Sequence, residues 1–263
     1  MSTKTISTTA LITGASTGIG ATYADRLARR GHNVILVARD KNRMETSAQR
    51  LREETGVSIE VFPADLTNPT ELARVEARLR DDSNIGILIN NAGAGLPGGF
   101  LDSDIDAHEQ IVRLNVVSVM RLACAVLPRF VKQGSGALIN ITSVLSVAPE
   151  VLPGVYSATK SFVLTFSQSL QKEVGDRGVY VQAVLPSATR TEIWERAGID
   201  PTSIPGMMDV GELVDAALVG FDRRELISLP SLPDLAQWEN FQKARLAMLP
   251  NFRQEHPAAR YRS

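Results

Sequence analysis

Tyr156 and Lys160 stand four residues apart at the head of YSATKSFVLTFSQSLQKEV, whose apolar spacing predicts a helix. Positions i and i+4 share one helix face, so phenol and ammonium point to the same side. A free tyrosine titrates near pH ~10, and a nearby cation favours the phenolate and lowers that value. A lowered phenol suits a group that gives and takes a proton near neutrality. Ser143 ends the strand-like run GALINITS, thirteen residues before Tyr156. Ligands bind at the C-terminal edge of open α/β sheets, and a hydroxyl there can hydrogen-bond a substrate oxygen. A YxxxK pair alone ordinarily marks a solvated helix face. Here it is joined to a strand-end serine and, far upstream, to a glycine-rich turn.

That turn is Thr13-Gly14-Ala15-Ser16-Thr17-Gly18-Ile19-Gly20, which follows the first strand-like run and opens a helical pattern. Glycines permit the tight turn and let a phosphate approach bare backbone N–H groups. The helix N-terminus adds a partial positive charge of about half a unit. The strand–turn–helix context marks a dinucleotide pyrophosphate site. The same residues match G-x-S-x-G, which would make Ser16 a hydrolase nucleophile. That chemistry needs a later acid and then a histidine, and neither His108 nor His256 has a suggestive setting.

The elements that must position these residues alternate. Buried-strand runs are TALIT (9–13), NVILVA (33–38), SIEVFP (58–63), IGILIN (85–90), GALINITS (136–143), VYVQAVL (179–185) and ELISL (225–229). They are apolar on both faces and rich in β-branched residues, as parallel strands are. Helical patterns lie at 19–30, 40–54, 69–80, 106–133, 156–175 and 210–221, with Gly31, Gly56, Gly134 and Gly178 where a left-handed C-terminal residue is needed. Strict β-α-β alternation predicts an α/β fold with a doubly wound parallel sheet. No linker or repeat interrupts it, so one domain is expected over 1–263, with a cofactor half to about residue 145 and a catalytic and substrate half after it. The irregular, proline-containing stretch 187–208 is expected to be a lid. From Pro230 the chain adds a helix at Asp234–Met248 and an Arg-containing tail.

Composition narrows the function. Of 263 residues, 28 are Lys or Arg and 29 are Asp or Glu, a formal net charge of −1. No bulk positive field draws in nucleic acid or an anionic membrane. The single cysteine, Cys124, excludes an intrachain disulfide, and His32, His108 and His256 are too scattered for a metal cluster, so no metal is expected. The opening MSTKTISTT lacks a signal peptide's pattern, and no apolar run long enough for a bilayer is read. A cytoplasmic setting is therefore expected. The sequon Asn140-Ile141-Thr142 falls inside a buried-strand run and is read as accidental.

At this point the chain resembles the short-chain dehydrogenase/reductase family over about residues 8–229. The matching pieces are TGASTGIG (13–20), Asp65, NNAG (90–93), Asn115, Ser143, YSATK (156–160) and the turn from Pro186 to Thr191. The resemblance implies a Rossmann fold with seven strands in the order 3-2-1-4-5-6-7 and a nicotinamide cofactor. Gly14, Gly18 and Gly20 would cradle its pyrophosphate and adenosine ribose, with Ser16, Thr17 and Ile19 in the same turn. Asp65 would hold the adenine amino group, with Leu66 beside the ring. Asn90, Asn91 and Ala92 would line the groove, and Gly93 would hold the central strand against it. Pro186, Thr189 and Thr191 would hold the carboxamide. Ser187 departs from the family's usual glycine after this proline. Ser143, Tyr156, Lys160 and Asn115 would be catalytic, with Lys160 also binding the nicotinamide ribose and Asn115 holding a relay water. The family's long helices commonly build dimers and tetramers, so a homotetramer or dimer is expected.

The cofactor choice is read from Ala38 and Arg39. An acid at 38 would accept the ribose hydroxyls and repel a 2′-phosphate, whereas Arg39 can pair with that phosphate. NADP(H) is expected. Ala94, Leu145, Val151, Leu152, Trp194, Met207 and Met208 would face the substrate, and their apolar character suits a small or medium apolar ketone or aldehyde, reduced reversibly to an alcohol. Two alternatives stand: an NAD-dependent secondary-alcohol dehydrogenase, and a non-catalytic NADP-binding regulator on the same fold.

Overall fold

The computed structural model describes residues 8–95, 100–152, 154–192, 194 and 200–262. Seven parallel strands form one sheet in the order β3-β2-β1-β4-β5-β6-β7. They are β1 (Thr9–Thr13), β2 (Asn33–Ala38), β3 (Ile59–Pro63), β4 (Ile85–Asn90), β5 (Gly136–Ile141), β6 (Val179–Val184) and β7 (Ile227–Ser228). The topology is the Rossmann order expected, and the chain switches direction between β1 and β4, where the ends of neighbouring strands leave a crevice. The seventh strand is shorter than its apolar run: only Ala183 and Val184 of β6 have partners there.

Successive residues of a strand face opposite sides, and each adjacent Leu/Ile pair is split between two cores. Ile12, Leu36, Ile89 and Ile139 face one core with Tyr23 and Leu27 of α1 (Gly18–Arg29), Leu51 of α2 (Lys41–Thr55) and Leu218. Leu11, Ile35, Leu88 and Leu138 face the other with Leu72 and Leu79 of α3 (Pro69–Asp81), and Leu122, Val126 and Phe130. Each such side chain contributes roughly 1.5–3 kcal/mol of burial. Both faces are covered, which is why the strands carry no polar alternation.

The helical stretch expected at 106–133 forms in three pieces: α4 (Ile105–Val112), a π turn at Arg113–Val117 and α5 (Ser118–Gln133). The whole stretch, Ile105–Gln133, is 29 residues and long and apolar enough to cross a membrane by length and composition. This corrects the earlier reading, which counted no such run. The arrangement gives the apolar residues another use, because Leu122, Ala123, Val126 and Phe130 are buried against the sheet. After it come α6 (Val155–Val174) and α7 (Val210–Asp222).

The chain divides into two compact units, Met1–Pro230 and Ser231–Ser263. The second holds α8 (Leu235–Ala247), N-capped by Asp234, and two short 3₁₀ turns. None of its described residues is buried. Asn140 of the sequon is wholly buried, its amide donating to Ser167 at 2.8 Å, so no sugar can reach it.

Candidate active site

The glycine turn sits where β1 ends. Gly14 has φ +67°, and a Cβ there would lie 2.8 Å from the Ala92 backbone; a Cβ on Gly20 would lie 2.4 Å from the Asn91 amide and from the Gly14 carbonyl oxygen. Only hydrogen fits at either place. Asn91 spends its amide on the Thr13 and Gly14 carbonyls, at 2.8 and 3.2 Å. The Thr13 hydroxyl accepts from the backbone N–H groups of Asn91 and Ala92, both at 3.0 Å. The ends of β1 and β4 are thereby tied together beneath the turn.

Helix starts supply a second contrast. Asp40, Asn68, Asp104, Asp209 and Asp234 each accept from backbone N–H groups in the first turn of their helices. Thr17 gives α1 no side-chain cap, and α1 has no acid in its first turn. Its leading N–H groups therefore meet an anion without a competing carboxylate. A glycine-rich turn leading into a helix start with no side-chain cap bond from Thr17 fits a dinucleotide pyrophosphate.

Across the switch point, Ser143 follows the end of β5 in extended backbone and is buried. Its hydroxyl accepts from the Leu145 N–H at 3.1 Å and donates to the Pro186 carbonyl at 3.4 Å. It also lies close enough to the Tyr156 phenol to favour its charged form. Tyr156 and Lys160 rise from the first turns of α6 as the i,i+4 pattern requires, with the ammonium 5.7 Å from the phenol ring centre. The residue Tyr156 keeps part of its surface exposed, but its titrating end lies deep among protein atoms. Gly95 runs alongside: a Cβ there would be 3.7 Å from the ring.

The electrostatics differ from the simple expectation. Burial pushes the Tyr156 phenol up to about 12, and the neighbouring Ser143 hydroxyl pulls the other way without offsetting it. Burial also brings the Lys160 ammonium down to about 8. The cation was expected to lower the phenol. In the chain itself, desolvation opposes both charges and outweighs their attraction at this separation.

The π turn explains Asn115. Such a turn inserts an extra residue and re-aims the side chain. The Asn115 amide accepts from the Ala94 N–H at 3.0 Å and donates to the Ala94 carbonyl at 2.9 Å and the Thr159 hydroxyl at 3.1 Å. A Cβ on Gly93 would lie 3.3 Å from the Asn115 Oδ1 and 3.4 Å from the Lys160 Nζ, so both side chains close on one point. Lys160 is buried and donates to the Ile141 carbonyl at 3.1 Å.

Other expected residues divide. Ala38 is buried at the end of β2, while Arg39 is exposed and, among the described residues, makes no hydrogen bond or ion pair. One oxygen of Asp65 is held by the Thr67 N–H and hydroxyl, at 2.8 and 2.7 Å. Leu66 is buried in the second core. Asn90 does not line the groove with its side chain: its amide donates to Asn140 at 3.0 Å inside the molecule. The expected lid is pinned at its base, where Thr189 bridges Met208 and the Trp194 indole donates to the Thr189 carbonyl at 2.7 Å. Ala94, Leu145, Leu152 and Met207 are half-buried, and Val151 is 76% exposed, at a rim. Of the lid expected at 187–208, 193 and 195–199 lie outside the described residues.

Sequence reasoning missed the hydroxyls that brace the site: Thr13 under the turn, Thr159 on Asn115, and Thr142, which donates to the Lys160 carbonyl at 2.7 Å. Thr142 and Thr159 each adjoin a catalytic candidate in sequence, and that adjacency is the one signal that could have found them.

A glycine cradle at the switch point of a Rossmann sheet, facing a buried Ser–Tyr–Lys group, is the architecture of a nicotinamide-dependent oxidoreductase. Residues 8–201 match the family model described as short chain dehydrogenase, and the chain belongs to that family. Among curated proteins it is 32% identical over 246 residues to the very-long-chain 3-oxoacyl-CoA reductase of Bos taurus, covering 89% of this chain and 78% of that one. It is 35% identical over 188 residues to its Homo sapiens namesake, a match that spans only 60% of the human protein's length. Among solved structures, a short-chain dehydrogenase from Sphingobium yanoikuyae in complex with NADPH is 56% identical, covers 97% of this chain and 100% of that one, and superposes with a TM-score of 0.95. A bulky-bulky ketone specific alcohol dehydrogenase from Comamonas testosteroni is 52% identical, covers 97% and 99%, and has a TM-score of 0.91.

Proposed function

We propose that the protein is an NADPH-dependent carbonyl reductase acting on apolar ketones, reversibly. The observation that carries this is the grouping of the Tyr156 phenol and Lys160 ammonium, with Ser143 acting on the phenol, against Gly93 and Gly95 of the segment that follows β4, whose Ala92 packs on Gly14 of the glycine turn. NADP(H) is supported by the exposed Arg39 beside Ala38, and by the NADPH bound in the Sphingobium relative. Gly14, Gly18 and Gly20 with the start of α1 would hold the pyrophosphate, Asp65 the adenine, and Lys160 the nicotinamide ribose. When bound, the cofactor supplies or accepts hydride. Ser143 orients the carbonyl oxygen, Tyr156 gives it a proton, and Lys160 with Asn115 restores that proton from solvent.

The substrate reading grows from small or medium carbonyls toward larger ones. Leu145, Leu152, Trp194 and Met207 offer apolar surface, and the Comamonas relative is named for bulky-bulky ketones. A panel read as loss of reduced-nicotinamide absorbance tests this, with methyl ketones, ketones bearing two large apolar groups, and 3-oxoacyl thioesters. We expect the ketones with two large groups to have the highest kcat/KM. A thioester preference would favour the chemistry named for the Bos taurus relative, and no turnover of any carbonyl would leave the regulator reading. The same proposal carries a cytoplasmic setting, and a tetramer or dimer for which Ile105, Val112 and Met120, exposed along the long helix, offer apolar surface.

The pH dependence follows from burial. With its phenol pushed up to about 12, Tyr156 is the neutral donor that reduction needs at any ordinary pH. Lys160, near 8, is an ammonium below that value and neutral above it. Reductive kcat/KM should therefore be level below about pH 8 and fall as pH rises, while alcohol oxidation, which needs the phenolate, should rise with pH. A reductive rate that climbs from pH 7 to 9 contradicts this assignment.

A further inference from the structure

The loop after β6 is fastened to the opposite side of the cleft. The Arg43 guanidinium, in the first turn of α2, donates to the Glu192 carboxylate at 2.6 Å. Arg43 is itself anchored at the start of α2: its N–H donates to Asp40 at 3.0 Å, and its Nε lies 3.4 Å from the other Asp40 oxygen. One residue before Glu192, Thr191 lies on the glycine turn, its methyl 3.1 Å from where a Cβ on Gly18 would be. Two residues further back, Thr189 is bridged to Met208. The segment from Thr189 to Glu192 thus runs over the glycine turn, held at one end by backbone and at the other by an ion pair to the β2–α2 corner.

We propose that Arg43 and Glu192 are a positioning pair, clasping the Thr189–Glu192 segment over the bound nicotinamide dinucleotide and slowing its release. The inference rests on the dinucleotide reading of the glycine turn. Both side chains are about half exposed, so the pair is modest: exposed ion pairs correspond to about a two- to fivefold change in an equilibrium, and salt weakens them. The sign separates this role from simple charge. Glu192→Gln removes a negative charge near a polyanionic ligand, which by electrostatics alone would tighten binding. A clasp predicts the reverse.

The test measures NADPH dissociation from the full-length protein by stopped-flow fluorescence, with excess NADP⁺ as the chase. Glu192→Gln is expected to raise the dissociation rate about two- to fivefold at low salt. The difference should vanish in molar salt, and Arg43→Gln with Glu192→Gln should release no faster than Arg43→Gln alone. Thermal melting of each variant confirms that it is folded. An unchanged or slower rate in Glu192→Gln overturns the clasp and leaves the cofactor reading standing. The same acceleration in the Arg43→Gln background overturns the pairing. Absence of saturable NADPH binding to the unaltered protein removes the cofactor reading, and the clasp with it.

Discussion

Tyr156→Phe should lose about 10²- to 10⁴-fold in kcat for carbonyl reduction, the range that a positioned general acid supplies. NADPH affinity should stay within about twofold, because the deleted atom is the phenolic oxygen and not part of the glycine cradle. The fold has little reason to suffer. Ser143 is the neighbour that acts on the hydroxyl, and even a full side-chain hydrogen bond would cost only on the order of 1 kcal/mol to lose, partly returned by removing a polar group from an enclosed place. Steady-state kinetics, a fluorescence titration with NADPH and a thermal melt separate the three quantities. Near-normal turnover in this variant would remove Tyr156 from the chemistry.

Ala38→Asp should reverse the cofactor preference. The carboxylate would stand at the end of β2, able to accept both adenosine ribose hydroxyls and to repel a 2′-phosphate, and it would compete for Arg39. A hydrogen bond to a charged group contributes about 1.5–3 kcal/mol, so the ratio of kcat/KM for NADPH over NADH should fall by about ten- to over a hundredfold. The backbone has no reason to move, because the Ala38 carbonyl keeps its bond from the Ala64 N–H at 3.0 Å. The change does place a charge at a buried position, so a lower melting temperature is also expected. An unaltered ratio would mean that Arg39 stays in solvent and does not discriminate.

Much of this was legible in the chain. The parallel sheet follows from apolar runs with no polar alternation, because strands covered on both faces need none. The C-terminal helix was read at Asp234–Met248, and these two residues are its caps, since an aspartate that accepts from the first turn is a local device. Ser143 and the Tyr156–Lys160 pair were legible for the same reason: a strand end and an i,i+4 spacing are short-range geometry. The π turn at Arg113–Val117 was not, because 3.6-residue periodicity runs on through it without a break, and what marks it is Asn115 bonding to Ala94, twenty-one residues away in sequence.

From local rules alone, then, residue order settled which groups are carried to the sheet edge: the glycine cradle, the strand-end serine, the phenol and the ammonium. Their protonation was decided by packing. Desolvation depends on how many atoms from distant segments surround a charge, and it lifted the Tyr156 phenol where proximity to a cation alone would have lowered it. Packing likewise turned Asn90 inward to Asn140 and brought Glu192 to Arg43 across a sequence separation of 149. Contacts between residues so far apart have no periodicity or spacing to announce them, and they exist only once the two halves of the sheet are side by side.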